Sequence, residues 1–306
     1  MLRIKDLSVQ FKRYSSGIDR YTMDAVSHLD LFVDAGEIVA VVGSSGAGKS
    51  LFAHAVLGIL PDNAIVKGEI RYKGSILDER RKAELRGKEI VLVPQSIEFL
   101  NPLCRVGKQV ERAAIRSGKT RKEAAGVTQE AFKRYSLKNF VRHYFPFQVS
   151  GGMARRVLVA TSTVGNADLI IADEPTNGLD QETAVSSLSH FRKLADQGKA
   201  VVLITHDLNA ALSVADKVAV FYKGCTLEIA QASDFNGAGR LRHPYSQALW
   251  ASLPQNDFNY PIFSAASNDS TGCVYQPRCH LNQRNCQKIM PEIRKVNSGY
   301  VRCYEA

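Results

Sequence analysis

The segment Gly43-Ser44-Ser45-Gly46-Ala47-Gly48-Lys49-Ser50 constrains this chain more than any other, because it meets every fixed position of G-x-x-x-x-G-K-[ST]. It follows the β-branched apolar run 38–42 and precedes an apolar stretch, 51–60, that reads as a helix. Strand, glycine loop and helix in that order are what phosphate binding needs. The glycines let the backbone curl so that several N–H groups point at phosphate oxygens, and the helix adds the positive end of its dipole. Lys49 is placed to reach the β- and γ-phosphates, and the Ser50 hydroxyl to ligate magnesium. A Gly/Ser-rich turn ahead of a helix would share the composition, but not four fixed positions with both flanks correct. The loop implies a nucleoside triphosphate and leaves the reaction class open.

Four more short apolar runs, 90–93, 169–172, 201–204 and 218–221, are bounded by Gly, charged or turn residues. They read as parallel strands buried on both faces, in alternation with helices, so the fold class is α/β with a mostly parallel sheet. Between about 94 and 163 the character changes to charged, amphipathic stretches such as 107–116 and 122–134, which predict an inserted helical subdomain. After about 233 comes a tail with Pro, Asn and Cys and no strong period. The expected division is therefore a domain over 1–232 and an extension over 233–306. No apolar run approaches the roughly 18–20 residues of a membrane span, and the start, Met1-Leu2-Arg3-Ile4-Lys5-Asp6, is charged where a secretion signal would be apolar. The net charge of +10 invites a nucleic-acid reading. However, Lys and Arg are scattered among acids, so a solvated basic surface is the expectation and no nucleic-acid partner is expected.

Asp168-Leu169-Ile170-Ile171-Ala172-Asp173-Glu174-Pro175 ends an apolar strand in two carboxylates. At the carboxyl edge of a parallel sheet they would stand beside the phosphate loop. Asp173 would hold magnesium through its water shell, and Glu174 would polarise the attacking water as general base.

Ahead of this pair lies Val149-Ser150-Gly151-Gly152-Met153, then a helical stretch. In this order the motifs resemble the ATPase subunit of an ABC transporter. The resemblance implies ATP and Mg2+ as ligands, with Ser150, Gly151 and Gly152 binding the γ-phosphate of ATP held by the opposite subunit. The outer positions, Val149 and Met153, depart from the commoner Leu and Gln. Gln95 resembles the glutamine that contacts magnesium and links the site to the helical insertion. Asn177-Gly178-Leu179-Asp180 resembles the segment lining the dimer seam, with Asp180 as its acid, although Asn177 and Gly178 vary among relatives. His206 resembles the histidine that reaches the γ-phosphate and steadies the attacking water. Phe11 matches the aromatic that stacks on adenine, with Tyr14 and Tyr21 as rivals.

The resemblance covers about residues 2–232. Within the tail, Arg242-His243-Pro244-Tyr245-Ser246-Gln247-Ala248-Leu249 and Ala251-Ser252-Leu253-Pro254 resemble the carboxy-terminal extension of the oligopeptide, dipeptide and nickel importer group. Asn101-Pro102-Leu103 and the methionine form of the signature resemble the same group. That group implies two transmembrane permease subunits, a second and different ATPase subunit paired head to tail, and an extracytoplasmic solute-binding protein. It also implies a peripheral place on the cytoplasmic face of the membrane. The alternative is a soluble ABC-type ATPase acting on a non-transport partner, and the retained Lys49, Asp173, Glu174 and His206 argue against a site that binds without hydrolysing.

Cys273, Cys279, Cys286 and Cys303 lie near the end of the chain, with gaps of five, six and sixteen residues. Zinc ribbons generally use C-x2–4-C knuckles, which these gaps lack. Gly272-Cys273-Val274-Tyr275-Gln276-Pro277-Arg278-Cys279 resembles the motif by which some members of the importer group bind a 4Fe–4S cluster. Zinc and free thiols stay open as alternatives, and Cys104 and Cys225 read as packing residues.

Overall fold

All five apolar runs are strands in the computed structural model, which describes residues 1–14, 20–44, 46–236, 240–256 and 272–306. An antiparallel sheet comes first in the chain, with strands β1 (Leu2–Tyr14), β2 (Arg20–Val33), β4 (Ala64–Tyr72) and β5 (Ser75–Ile76) in the order β2-β1-β4-β5. The main sheet holds β3 (Ile38–Gly43), β6 (Ile90–Val93), β7 (Leu169–Asp173), β8 (Ala200–Ile204), β9 (Lys217–Tyr222), β10 (Cys225–Gln231), β11 (Arg294–Val296) and β12 (Gly299–Val301). Its order is β11-β12-β10-β9-β3-β8-β7-β6, with β9 through β6 parallel. Every residue of β3, β7 and β8 is buried. Such strands have helices or sheet on both faces and read as continuous apolar runs. Each fully buried Val, Leu or Ile there contributes about 1.5–3 kcal/mol relative to exposure.

The antiparallel sheet is less legible in sequence. Buried positions on β1 are Leu2 and Ile4, then Leu7 and Val9. The alternation therefore slips by one residue around Asp6, whose φ is +47°, at a register shift against β2. A second left-handed residue, His28 at φ +53°, sits in β2 across from it. Such bulges break the period of two that would otherwise mark the strands.

Helix α1 (Lys49–Leu57) follows the phosphate loop and packs on β9, with the Phe52 and Phe221 rings 5.8 Å apart. Between β5 and β6 lies α2 (Glu79–Leu85). The insertion carries α3 (Val106–Arg116), α4 (Arg121–Arg134) and α5 (Gly151–Thr163). One face of α3 buries Val106, Val110 and Ala114, and one face of α4 buries Ala124, Thr128, Ala131 and Phe132. Those are the one-turn spacings of an amphipathic helix. Thr120 and Glu123 start α4 with a reciprocal capping box. Next come α6 (Gln181–Asp196) and α7 (Leu208–Leu212).

The tail, with α8 (Pro244–Ala251) and α9 (Arg284–Lys288), is anchored by buried polar groups. The wholly buried Glu228 carboxylate of β10 accepts the backbone N–H groups of Arg242 and His243, both at 2.9 Å. His243 then caps α8, its Nδ1 accepting from the Tyr245 N–H at 3.0 Å. Pro244 occupies the first helical position, where a missing N–H costs nothing. The Arg-His-Pro-Tyr block is thus a helix start held on a carboxylate. At the far end β12 pairs with β10, placing Val301 opposite Glu228 and continuing the main sheet.

Burial pushes His243 down to about 3 and His190 down to about 4, so both are neutral when folded. Unfolded, each titrates near 6.5. The unfolded chain then takes up protons that the folded chain refuses, and stability falls as pH drops from about 6.5 towards these lowered values. His243→Asn, which keeps a capping acceptor, is expected to flatten that acid slope by about 1.4 kcal/mol per pH unit. Urea melts at pH 7, 6 and 5 measure it.

Candidate active site

Neighbouring parallel strands deliver the site at one edge of the sheet. β3 ends in the phosphate loop, β7 in Asp173 and Glu174, and β8 runs into Thr205 and His206, while β6 leads to Pro94 and Gln95. Pairing fixes their relative height, with Val41 opposite Ile204, Asp173 opposite Ile204, and Val93 opposite Ala172. The ends border a cavity of about 750 Å³, whose walls include Gly46, Ala47, Gly48, Lys49, Ser50, Gln95, Asp173 and Glu174. That size is typical of a small-molecule site.

The loop itself is held by close backbone contact. Gly48 caps α1 at φ +81°, and a Cβ there would lie 2.8 Å from Val26 Cγ2. At Gly43 a Cβ would lie 2.2 Å from the Phe221 carbonyl oxygen. The β9–β10 turn docks on the loop, the Gly224 N–H donating to the Ala47 carbonyl at 3.2 Å. Lys49 donates to the carbonyls of Gly43 at 2.8 Å and Ser44 at 3.0 Å. Ser45 lies outside the described residues.

Burial lowers the Lys49 pKa, against the pull of the Glu174 and Asp173 charges. Burial raises that of Asp173, the Ser50 hydroxyl bond opposes this, and the charge of Glu174 adds to it. Asp173 Oδ1 is buried with no hydrogen-bond partner among the described residues. An orphaned carboxylate oxygen beside a hydroxyl and the amide-bearing Gln95 is an all-oxygen donor set of the kind Mg2+ takes, and the residues fit that ion. Glu174 sits at φ +46°, uncommon for a residue with a side chain, and its carboxylate oxygen lies 2.8 Å from His206 Nδ1.

Two of the three aromatic candidates can be placed. Phe11 lines the cavity, whereas Tyr21 is largely exposed and is not among the lining residues, and the Tyr14 side chain lies outside the described ones. Ser150, Gly151 and Gly152 are not among the lining residues of this cavity. They form the exposed start of α5, where Ser150 Oγ accepts the Met153 N–H at 3.3 Å. Asp180 caps α6, accepting from the Thr183 N–H at 2.9 Å and its hydroxyl at 2.7 Å. Leu179 packs 3.9 Å from where a Cβ of Gly152 would be, so the two segments adjoin.

Sequence reasoning missed Arg13, Asp24 and Lys223, which also line the cavity. It missed Arg155 as well, which is 3% exposed behind Glu174 and donates to backbone carbonyls on both sides. Two consecutive arginines on a helix carry no signal that tells the buried one from its partly exposed neighbour, Arg156.

Among the tail cysteines, Cys273, Cys279 and Cys303 are pushed up, first by burial and then by charge on the other cysteines, Cys286 among them. The Cys273 N–H also donates to the Cys286 carbonyl at 2.8 Å. The four therefore face one region, yet no three His, Cys, Asp or Glu side chains among the described residues are close enough to hold a metal ion. That geometry does not fit a single zinc ion, whose ligands converge on one point at about 2.3 Å. Cys225, by contrast, is a buried thiol raised to about 12.

The phosphate loop, acidic strand end and inserted helices define a P-loop ATPase cassette, and comparison with known proteins agrees. The ABC transporter family model matches residues 26–177, and that of the oligopeptide/dipeptide transporter C-terminal region matches residues 227–286. The oligopeptide transport ATP-binding protein OppD of Bacillus subtilis is 34% identical over 83% of this chain and 72% of its own length. The dipeptide transport ATP-binding protein DppD of the same organism is 31% identical over 99% of this chain and 94% of its own. Among solved structures, the dimeric ATP-binding cassette MJ0796, in a post-hydrolysis state with ADP and Pi, superposes with a TM-score of 0.67 at 26% identity. It covers 76% of this chain and 99% of its own. The chain belongs to the ABC transporter ATP-binding proteins of the oligopeptide/dipeptide group. It is an ATPase of the transport-coupled kind, and members of this class pair their cassettes.

Replacing Gly48 by Ala is expected to weaken ATP binding at least tenfold, about 1.4 kcal/mol, because the side chain strains the cap and collides with Val26. Isothermal titration with ATP measures the change.

Proposed function

We propose that this chain powers the uptake of di- or oligopeptides, as one of two ATPase subunits beneath a pair of transmembrane permease subunits. The observation that carries the reading is a complete nucleotide site joined to a tail of the oligopeptide/dipeptide type in one chain. The curated relatives carry peptide and dipeptide transport in their names, which favours peptides over nickel or a metal chelate. A different sister ATPase and an extracytoplasmic solute-binding protein complete the set, and the assembly sits at the cytoplasmic face of the membrane. No helix among the described residues is long and apolar enough to cross a membrane, so the passage itself falls to other chains.

In this reading ATP lies between the phosphate loop of one subunit and Ser150-Gly151-Gly152 of the other, whose exposed helix start leaves backbone N–H groups free for the γ-phosphate. Phe11 stacks on the adenine. Lys49 exchanges its two loop carbonyls for phosphate oxygens as the nucleotide enters. Ser50, Gln95 and Asp173 would hold Mg2+, which neutralises charge on the phosphates when bound. Glu174 takes a proton from the attacking water, and His206, hydrogen-bonded to that carboxylate, steadies it. Asp180 lines the seam between the two subunits. A groove of about 290 Å³ between the core and the insertion, with Leu57, Ile59, Pro94 and Phe99 on its walls, supports docking of a permease segment beside Gln95. The four cysteines of the tail would suit a 4Fe–4S cluster better than zinc, since each iron takes its own sulfur ligand and the ligands stay further apart.

Three measurements test this. Cells lacking the chain should lose uptake of labelled di- or tripeptides and regain it from a plasmid copy; unchanged uptake removes the peptide reading. Glu174→Gln should retain ATP binding and lose turnover about 10²-fold or more, in the chain purified with the subunits it assembles with. Anaerobic purification with iron and zinc analysis decides the tail, where iron at four per chain is expected and iron-free protein excludes the cluster.

A further inference from the structure

We propose that Arg155 is the positioning residue for Glu174, fixing the strained backbone that aims its carboxylate. The inference rests on the reading of Glu174 as general base. Arg155 lies in the second turn of α5 with 3% exposure. No carboxylate pairs with its guanidinium among the described residues; backbone carbonyls from two loops surround it instead. Nη1 donates to Pro94 O at 3.0 Å and to Gln95 O, and Nη2 to Asp173 O at 3.4 Å and to Glu174 O. Nε donates to Pro175 O at 3.3 Å. Those carbonyls lie just past β6 and at the end of β7, two strands that pair in parallel. One rigid planar fork therefore spans both strand ends.

The consequence falls on Glu174. A left-handed backbone at a residue with a side chain persists only where its surroundings over-determine it. Here both peptide groups that flank the Glu174 Cα are committed. Its N–H donates to the Ile204 carbonyl at 2.9 Å, and its carbonyl accepts from Arg155 and from the Asn177 N–H at 3.2 Å. Without the guanidinium the carbonyl keeps only the Asn177 bond within its own turn and loses its tie to α5, so the backbone relaxes from φ +46° and the carboxylate leaves its place 2.8 Å from His206. The same fork holds the Gln95 carbonyl, so the start of α5, the Gln95 loop and Glu174 shift together. A lysine cannot substitute, because a point donor does not span carbonyls that a planar fork bridges. Arg155 makes no hydrogen bond to residues 43–50 of the phosphate loop; the cavity-lining residues it does bond, Gln95, Asp173 and Glu174, are on the magnesium and water side, so its removal leaves the phosphate contacts of the loop in place.

The test uses the full chain with the subunits it assembles with, and compares Arg155→Met, Arg155→Lys and Glu174→Gln. Read out are thermal melting, ATP Kd and stoichiometry by titration, and kcat per ATP-binding site by phosphate release. Both arginine variants should lose tenfold or more in kcat while the Kd for ATP measured without magnesium stays within twofold. A kcat near wild type in either folded variant overturns the proposal. So does a loss that tracks lost ATP-binding stoichiometry, which marks a merely structural role. If Arg155→Met does not fold, Arg155→Lys alone decides by the same criteria. If Glu174→Gln itself turns over normally, the general-base reading fails, a result distinct from an active Arg155 variant beside an inactive Glu174→Gln.

Discussion

In-register pairing of the parallel strands β6, β7, β8 and β3 is the constraint on which everything else depends. Each of these strands ends in a different functional segment, and their lateral hydrogen bonds fix those segments to within a fraction of a residue. A slip of one residue would turn every side chain to the opposite face and carry Asp173 away from Ser50. Apolar burial on both faces makes such a slip prohibitive. The candidate site is thus held by the least chemical part of the chain, a set of Val, Ile, Leu and Ala residues of which all but Leu92 are buried.

Buried charges then tie outlying pieces to this frame. Arg302, near the end of the chain, pairs with Asp30 of β2 at 2.6 Å, with both side chains 5% exposed. It also donates to the Thr226 and Pro291 carbonyls, so three parts of the chain meet on one guanidinium. Glu228 and Arg155 follow the same pattern, an ionisable side chain spent on backbone groups of distant segments. Desolvation makes such groups costly, and what they add is one defined arrangement rather than net stability. In this molecule they sit where separate segments must be registered: tail on cassette, insertion on the ends of β6 and β7.

The residues that border the candidate nucleotide cavity were largely legible because their segments are local. A phosphate loop needs its glycines, lysine and serine consecutive, and an acidic strand end needs its two carboxylates adjacent. The charged stretches of the insertion became α3 and α4 for a similar reason, since an amphipathic face is written within one helix. The antiparallel sheet was not legible, because bulges at Asp6 and His28 break the alternation that would announce it. The tail looked aperiodic because its order comes from Glu228, Arg302 and pairing to β10, none of which is near in sequence.

The sequence by itself determined the fold class, the strands of the parallel sheet, and the identity of the phosphate-binding and acidic segments. Composition and spacing suffice for these, since each is set by neighbours within about ten residues. Only the tertiary structure showed that Phe11 lines the cavity while Tyr21 does not, and that the Ser150-Gly151-Gly152 segment is not among the residues lining the chain's own nucleotide cavity. It alone revealed that one of two adjacent arginines is buried against the acidic end of β7. Those facts depend on which side of a packed element a residue falls, and on where carbonyls from remote loops converge. That is fixed by the packing of whole elements against one another, and no local stretch of sequence carries it.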